Sequence, residues 1–120
     1  MATYTKHILS GSINGRGIPV VAQATTTGIT TLHTAATGTT GIDEIWLYVQ
    51  NTATAERFLQ ITFGGTTTDD RIQDTVPAQP NGLFMVVAGL PINNGLIVGA
   101  QATATTGELK AFGYVHRIAT

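Results

Sequence analysis

Residues 41–51 constrain the fold most, because their side chains alternate in character and they include the only tryptophan of the chain. In a β-strand, residues i and i+2 lie on the same side. One row of this strand is aliphatic, which is typical of a core: Ile45, Leu47 and Val49. The other row is aromatic and polar: Glu44, Trp46, Tyr48 and Gln50. A row of the second kind is typical of a surface that a partner subunit or a covering segment contacts.

The rest of the 120-residue chain supports an all-β fold. Charged residues make up only 11% of it, against about 25% in ordinary soluble domains. Threonine, whose branched side chain favours extended backbone, is abundant throughout. Short strand-like segments alternate with turn signals about every 8–12 residues. We therefore expect one domain, residues 1–120, built as a compact β-sandwich or a small, jelly-roll-like β-barrel.

Three further segments carry specific predictions about strands. Residues 57–63 alternate as a strand does, and we expect them to form a hairpin with the central strand. The apolar run at 83–88 predicts a strand that is covered on both faces. Residues 109–118 repeat the pattern of one small aliphatic row and one aromatic row. We expect this last strand to share a sheet with the central one, with four aromatic residues on the same side: Trp46, Tyr48, Phe112 and Tyr114.

Residues 1–22 are predicted to form an extended N-terminal arm. The sequence Asn14-Gly15-Arg16-Gly17 contains residues that tolerate left-handed backbone, and it predicts a tight turn that reverses the chain between two short extended pieces. Pro19 limits the second piece to the edge of a sheet, because proline has no backbone N–H to donate. Such an arm is either a frayed terminus or a segment that becomes ordered on a partner.

The sequence shows no pattern typical of catalysis, of a cofactor site or of a metal site. The histidines are scattered: His7, His33 and His116. The acidic residues Asp69, Asp70 and Asp74 lack the alternating oxygen ligands and the glycine of a calcium loop. Ser10 and Ser12 do not lie in a nucleophile elbow. The net charge of −1 argues against nucleic acid or a membrane as a partner, so we expect neither, and we expect no enzyme.

Taken together, several segments resemble a group of small tailed-bacteriophage virion proteins. They are Lys6-His7-Ile8-Leu9-Ser10-Gly11-Ser12, Asn14-Gly15-Arg16-Gly17-Ile18, Ile42-Asp43-Glu44-Ile45-Trp46-Leu47-Tyr48, Gly64-Gly65-Thr66-Thr67, Leu90-Pro91-Ile92-Asn93-Asn94-Gly95-Leu96 and Gly113-Tyr114-Val115-His116-Arg117-Ile118. Within that group the chain is most similar to capsid decoration, or cement, proteins. The resemblance implies a compact β domain that is made in the host cytoplasm and assembles on the outside of the head shell.

The resemblance also implies the partners. These are the major capsid protein of the same phage and further copies of the chain, expected as a homotrimer. Shell-facing candidates in the arm are Tyr4, Ile8, Leu9, Arg16 and Ile18, and candidates for the subunit interface are Trp46, Tyr48, Phe112 and Tyr114. Two alternatives stay open: a ring-forming component of the neck or tail, and a carbohydrate-binding module that recognises the host surface through Trp46 or another aromatic residue exposed in a shallow groove.

Overall fold

The structure is a computed structural model that describes residues 2–22, 29–80, 82–103 and 105–119. These residues form ten strands and one short 3-10 helix, Thr68–Asp70. The strands are β1 (Thr3–Ile8), β2 (Ile18–Pro19), β3 (Val21–Ala22), β4 (Thr30–Thr34), β5 (Ile42–Asn51), β6 (Arg57–Phe63), β7 (Arg71–Val76), β8 (Phe84–Ile92), β9 (Ile97–Thr103) and β10 (Leu109–Ala119). The all-β prediction is confirmed.

Two five-stranded sheets pack as a sandwich. Sheet one has the order β1-β10-β5-β8, with β2 also paired to β10. Sheet two has the order β3-β9-β6-β7, with β4 also paired to β9. Neighbouring strands are antiparallel except for β3, which runs parallel to β9. Since β5 and β10 lie in the middle of sheet one, each has a core side and an outer side.

Aliphatic side chains from both sheets fill the space between them. In β5 the inward row is the one that the sequence predicts, and Ile45, Leu47 and Val49 are buried. The facing core residues of sheet two include Leu59, Ile61, Val98 and Ala100. The burial of apolar side chains contributes roughly 25 cal/mol per Å² removed from water, so this layer is the main stabilising element of the fold.

The N-terminal segment lies on the body of the domain. Strand β1 pairs with β10 from Thr3 to Ile8, and Leu9, 1% exposed, enters the core. The predicted turn is present, because Asn14 and Gly15 have positive φ angles of 54° and 82°. The prediction that this turn reverses the chain between two extended pieces is wrong, however. Strands β1 and β2 run in the same direction along β10, and the residues between them leave sheet one to contact β4 before they return.

The predicted hairpin between β5 and β6 is also wrong, because the two strands belong to different sheets. The side chain of Asn51 explains the crossover. Its Nδ2 donates to the carbonyl oxygens of Ala55 at 2.9 Å and Val76 at 3.3 Å, and its Oδ1 accepts from the N–H of Ala53 at 2.8 Å. These bonds satisfy buried backbone groups in the connection from sheet one to sheet two.

Strand β8 is not covered on both faces, so the prediction made for the apolar run at 83–88 is wrong. It is an edge strand, paired only with β5 among the described residues. Its register on β5 shifts twice, and only Val87 and Ile92 of this strand are buried. Met85, opposite Tyr48, is exposed on the outer side of sheet one, and Leu90, opposite Ile45, is exposed on the inner side, where the core is open at this edge. The apolar run therefore reflects an uncovered edge and not a central strand.

Candidate functional site

The four aromatic residues predicted to share a face do so. Tyr48 lies directly opposite Phe112, and Trp46 lies directly opposite Tyr114, in the antiparallel pair β5–β10. Because directly paired residues project to the same side of a sheet, all four lie on the outer side of sheet one. That part of the sequence prediction is confirmed.

Two of the four rings, Trp46 and Tyr114, stack on each other. The rings of Trp46 and Tyr114 are nearly parallel, at 7°, with centroids 5.9 Å apart. His116 packs beside both rings, 5.3 Å from the centroid of Tyr114. The Nζ of Lys6 lies 4.5 Å above the Tyr114 ring, which is within the range of a cation–π contact.

Glycine makes room for two of these aromatic rings. A Cβ added to Gly89 would lie 3.0 Å from the Trp46 ring, and a Cβ added to Gly17 would lie 2.7 Å from Phe112. Both rings therefore cover bare backbone. The Nε1 of Trp46 is the one buried side-chain polar atom without a hydrogen-bond partner in the described part of the chain. Within this chain Trp46 contributes packing and not hydrogen bonding.

The predicted arm residues separate into two groups. Tyr4 and Ile8 are exposed, and they lie directly opposite Ile118 and Tyr114 on the outer side of sheet one. Arg16 lines a groove of about 460 Å³ with Phe112. Leu9 and Ile18 are core residues, so in this conformation neither side chain is available to a shell protein. The reason is the docking of residues 2–22 on the domain.

Two arm candidates, Tyr4 and Ile8, thus share one surface with the four interface candidates. We call it the aromatic face: Tyr4, Ile8, Trp46, Tyr48, Met85, Phe112 and Tyr114. It extends across all four strands of the sheet-one order, from β1 to β8, because Met85 lies opposite Tyr48. Contiguous apolar surface on this scale is typical of a contact site.

An ionic cluster between the two sheets contains two buried side chains, Asp43 and His33, and a partly exposed one, Arg117. Asp43, with no exposed surface, is on the core row of β5 and directly opposite Arg117. The Nε and Nη2 of Arg117 donate to the carboxylate at 2.8 and 3.0 Å. His33 reaches the same carboxylate from β4 of sheet two, with 2.8 Å between its Nε2 and the Oδ2 of Asp43. We call His33, Asp43 and Arg117 the ionic clasp, since they connect the two sheets.

Local irregularity places His33 in the clasp. The register of β4 on β9 shifts between Thr31 and His33, so Leu32 is an extra residue. A bulge of this kind lets neighbouring side chains point to the same side, and both Leu32 and His33 are buried. The sequence gives a partial signal for the inward position of Asp43, because Asp43 continues the aliphatic row of β5. It gives no signal that residues 33, 43 and 117 lie close together.

Ser10 lies beside His33 and Asp43 of the clasp, but the three residues do not have the geometry of a hydrolase. The backbone N–H of Ser10 donates to the Nδ1 of His33 at 3.0 Å, so Nε2 holds the ring proton and donates it to Asp43. The Ser10 hydroxyl oxygen accepts from the N–H of Thr34 at 2.7 Å. A nucleophilic serine needs its hydroxyl on the imidazole. This trio instead attaches the N-terminal segment to the core.

The electrostatics of the clasp favour ionised Asp43. Burial raises the pKa of a carboxyl, but hydrogen bonds from Arg117, His33 and the N–H of Ala36 outweigh it and lower the pKa of Asp43 from 3.8 to about 2. The same ion pair raises the pKa of Arg117. No group of three or more potential metal ligands occurs among the residues that the structure describes. No helix in that part of the chain could cross a membrane.

Sequence analysis did not identify the outer side of sheet two as a possible site. We call it the threonine–glutamine face: Phe58, Gln60, Gln73, Thr75, Gln101 and Thr103. Phe58 lies between Thr75 and Thr103 in register, and Gln60 lies between Gln73 and Gln101. The alternation of 57–63 does assign Phe58 to the side opposite Leu59. Only the structure shows that the ring is 61% exposed.

Comparisons with known proteins found no relative of this chain. No family model matches the chain, and no curated protein or solved structure matches it either.

Proposed function

We propose that this chain is a structural protein of a tailed-bacteriophage virion that decorates the outside of the head shell. It binds as a homo-oligomer, a trimer in the form that the resemblance implies, and bridges neighbouring major capsid proteins. The aromatic face is the contact surface. The assignment to a virion is based on the sequence resemblance, and the assignment of the surface is based on the geometry.

The observation that carries the proposal is the continuity of the aromatic face across β1, β10, β5 and β8. Charged residues make up only 11% of the chain, so like-charge repulsion between copies is weak. Aromatic and methionine side chains are enriched at protein interfaces, and on this face Tyr4 and Met85 are exposed beside four partly exposed rings. We infer that this face is covered in the assembled particle.

The segments that carry the resemblance also favour this surface. Five of the six belong wholly or in part to strands of sheet one, namely the segments that begin at Lys6 (β1), Asn14 (β2), Ile42 (β5), Leu90 (β8) and Gly113 (β10). Proteins that use the same contact surface retain its residues, which is a physical reason for one sheet to contain most of the segments that resemble the phage proteins. Cations at its margin, Lys6, Arg16 and Lys110, suit an acidic partner surface.

Oligomerisation supplies the strength that a 12.5 kDa chain lacks alone. When one copy of a trimer is bound, the others bind at a high effective concentration, and avidity can exceed the single-site affinity by roughly 10²–10⁴. A decoration protein of this kind stabilises the shell against internal pressure by linking adjacent subunits.

Quantitative mass spectrometry of purified virions tests the proposal. The ratio of this chain to the major capsid protein should approach one copy per shell subunit. A ring-sized handful of copies per particle would assign the chain to the neck or tail, which is the alternative use of the same face. Absence from the particle would contradict the virion proposal in both forms.

A further inference from the structure

A groove of about 370 Å³ lies on the threonine–glutamine face, remote from the aromatic face. Its lining includes Phe58, Gln60, Gln73, Asp74, Thr75 and Thr103. The volume falls in the range of roughly 300–1,000 Å³ that small-molecule sites occupy. The groove therefore has the size to hold one or two rings of a ligand.

Phe58 supplies an open aromatic surface in this groove. The residues opposite it on both neighbouring strands, Thr75 and Thr103, are short, so they leave the ring accessible. A single exposed aromatic residue is ordinary by itself. Phe58 differs because its register neighbours are polar, so the ring is an apolar platform framed by hydrogen-bonding groups.

Those groups are held in place. The Nε2 of Gln73 donates to the Oε1 of Gln60 at 3.2 Å, which orients the Gln73 amide at the surface. Asp74 pairs with the core residue Leu59, so its side chain lies on the other side of the sheet from Phe58, and its Oδ1 accepts from the N–H of Thr75 at 2.9 Å. The Oγ1 of Thr103 is fixed by the N–H of Phe58 at 3.2 Å. The groove thus presents the Gln73 amide and the hydroxyls of Thr75 and Thr103 around the Phe58 ring.

We propose that this groove binds a neutral saccharide. The face of a pyranose ring presents C–H groups, which are attracted to the negative face of an aromatic ring such as Phe58. Its hydroxyls both donate and accept, and so they match the exposed Gln73 amide and the Thr75 hydroxyl, which lies opposite Phe58. The remaining register neighbours, Gln60, Gln101 and Thr103, are uncharged. Asp74 disfavours an anionic sugar by like-charge repulsion.

The proposal does not depend on the virion assignment, and it concerns a different residue from the tryptophan of the carbohydrate alternative above. Trp46 packs on Gly89 and beside Tyr114, whereas the Phe58 ring is open.

Affinity electrophoresis of the full chain in gels that contain dextran, hydroxyethylcellulose, galactomannan or mixed-linkage β-glucan tests the proposal. The chain should be retarded by at least one of these neutral polysaccharides and not by polygalacturonate. Saturation-transfer NMR with the matching hexasaccharide should then show the strongest transfer to protons on the stacked ring face. Phe58→Ala should weaken binding at least about tenfold, and Phe58→Tyr should retain it. Tyr4→Ala removes an exposed ring from the aromatic face and is the matched control, which should bind as the parent does.

Three results would overturn the proposal. They are no retardation by any of the four polysaccharides, equal binding by the parent and Phe58→Ala, and binding that is lost in Tyr4→Ala but not in Phe58→Ala. Circular dichroism of each variant separates loss of binding from loss of fold. If Phe58→Ala does not fold, Gln73→Ala, which alters an exposed side chain of the edge strand β7, takes its place with the same expected loss.

Discussion

The two outer surfaces of the sandwich are built on similar strands but differ in chemistry. The aromatic face of sheet one carries tryptophan, tyrosine, phenylalanine and methionine across four strands, and the rings of Trp46 and Tyr114 stack. The threonine–glutamine face of sheet two carries hydroxyls and amides around one isolated ring, Phe58. The first is suited to a large contact with protein, because contiguous apolar area excludes water. The second is suited to a small polar ligand.

Edge strands show the same difference. Strand β7, at the edge of sheet two, contains Arg71 and Asp74. Strand β8, at the edge of sheet one, contains no charged residue in its sequence FMVVAGLPI. Charges on an edge strand oppose pairing with another chain. The uncharged edge therefore adjoins the face that we propose to be covered, and the charged edge adjoins the face that we propose to stay open.

The largest expected effect comes from disconnecting the two sheets. Asp43→Ala leaves His33 and Arg117 without their shared acceptor, and it should lower the free energy of unfolding by about 3–5 kcal/mol. Urea denaturation of the parent and the variant measures this. Glu44→Ala, one residue along β5 and on the outer side, is the matched control with an expected change below about 0.5 kcal/mol. Equal stability of parent and Asp43→Ala would mean that the clasp does not hold the sheets together.

The second effect distinguishes the faces by adding one charge to each. Met85→Glu places a carboxylate on the aromatic face, where an interface would bury it unpaired, and should raise the dissociation constant of the oligomer about a hundredfold, or about 3 kcal/mol. Phe58→Glu makes the same addition to the other face and should leave assembly unchanged. Both residues are more than half exposed in the single chain, so neither change should unfold it.

Sedimentation equilibrium of the parent and both variants measures these constants. Dissociation caused by Phe58→Glu and not by Met85→Glu would reverse the proposed roles of the two faces.

The third effect is acid destabilisation through Asp43. Its pKa is lowered from 3.8 to about 2 in the folded chain, so its contribution is complete above about pH 4 and is lost as the pH falls through 2. A shift of this size corresponds to about 2 kcal/mol. Urea midpoints at pH 5 and pH 2 should differ by more in the parent than in Asp43→Asn. An equal pH dependence would assign the acid sensitivity to other carboxyl groups.

The smallest expected effect is the contribution of a single exposed ring, Phe58, to the stability of the fold. Phe58→Ala should change the free energy of unfolding by no more than about 0.5 kcal/mol, because the side chain is largely in water already. Phe112→Ala removes a ring that packs over Gly17, and should cost about 1–2 kcal/mol. Thermal denaturation of the two variants provides the comparison, and a larger loss from Phe58→Ala would show that Phe58 has a role in folding.

The sequence is sufficient to predict what depends on alternation. The two rows of β5, the matching rows of β10 and the shared side of Trp46 and Tyr114 follow from the period of two. It does not predict the partner of a strand when the connection is ambiguous. Residues 52–56 are as compatible with a hairpin as with a crossover, and the contacts of the Asn51 side chain determine the outcome.

Long-range contacts account for the other differences. The ionic clasp joins positions 33, 43 and 117, and a bulge in β4 is needed to turn His33 inward. The burial of Leu9 and Ile18 depends on the pairing of β1 and β2 with β10, at the other end of the chain. The exposure of β8 depends on its position at the end of the strand order. None of these is encoded within a window of neighbouring residues.

The central claim is that the aromatic face is covered in the assembly and the threonine–glutamine face is not. Hydroxyl-radical footprinting of purified virions and of the free chain, read by mass spectrometry, measures this residue by residue. We predict that Trp46, Tyr48, Met85 and Tyr114 are protected in the particle while Phe58 is oxidised equally in both samples. Protection of Phe58 with undiminished oxidation of Trp46 and Met85 would contradict the account.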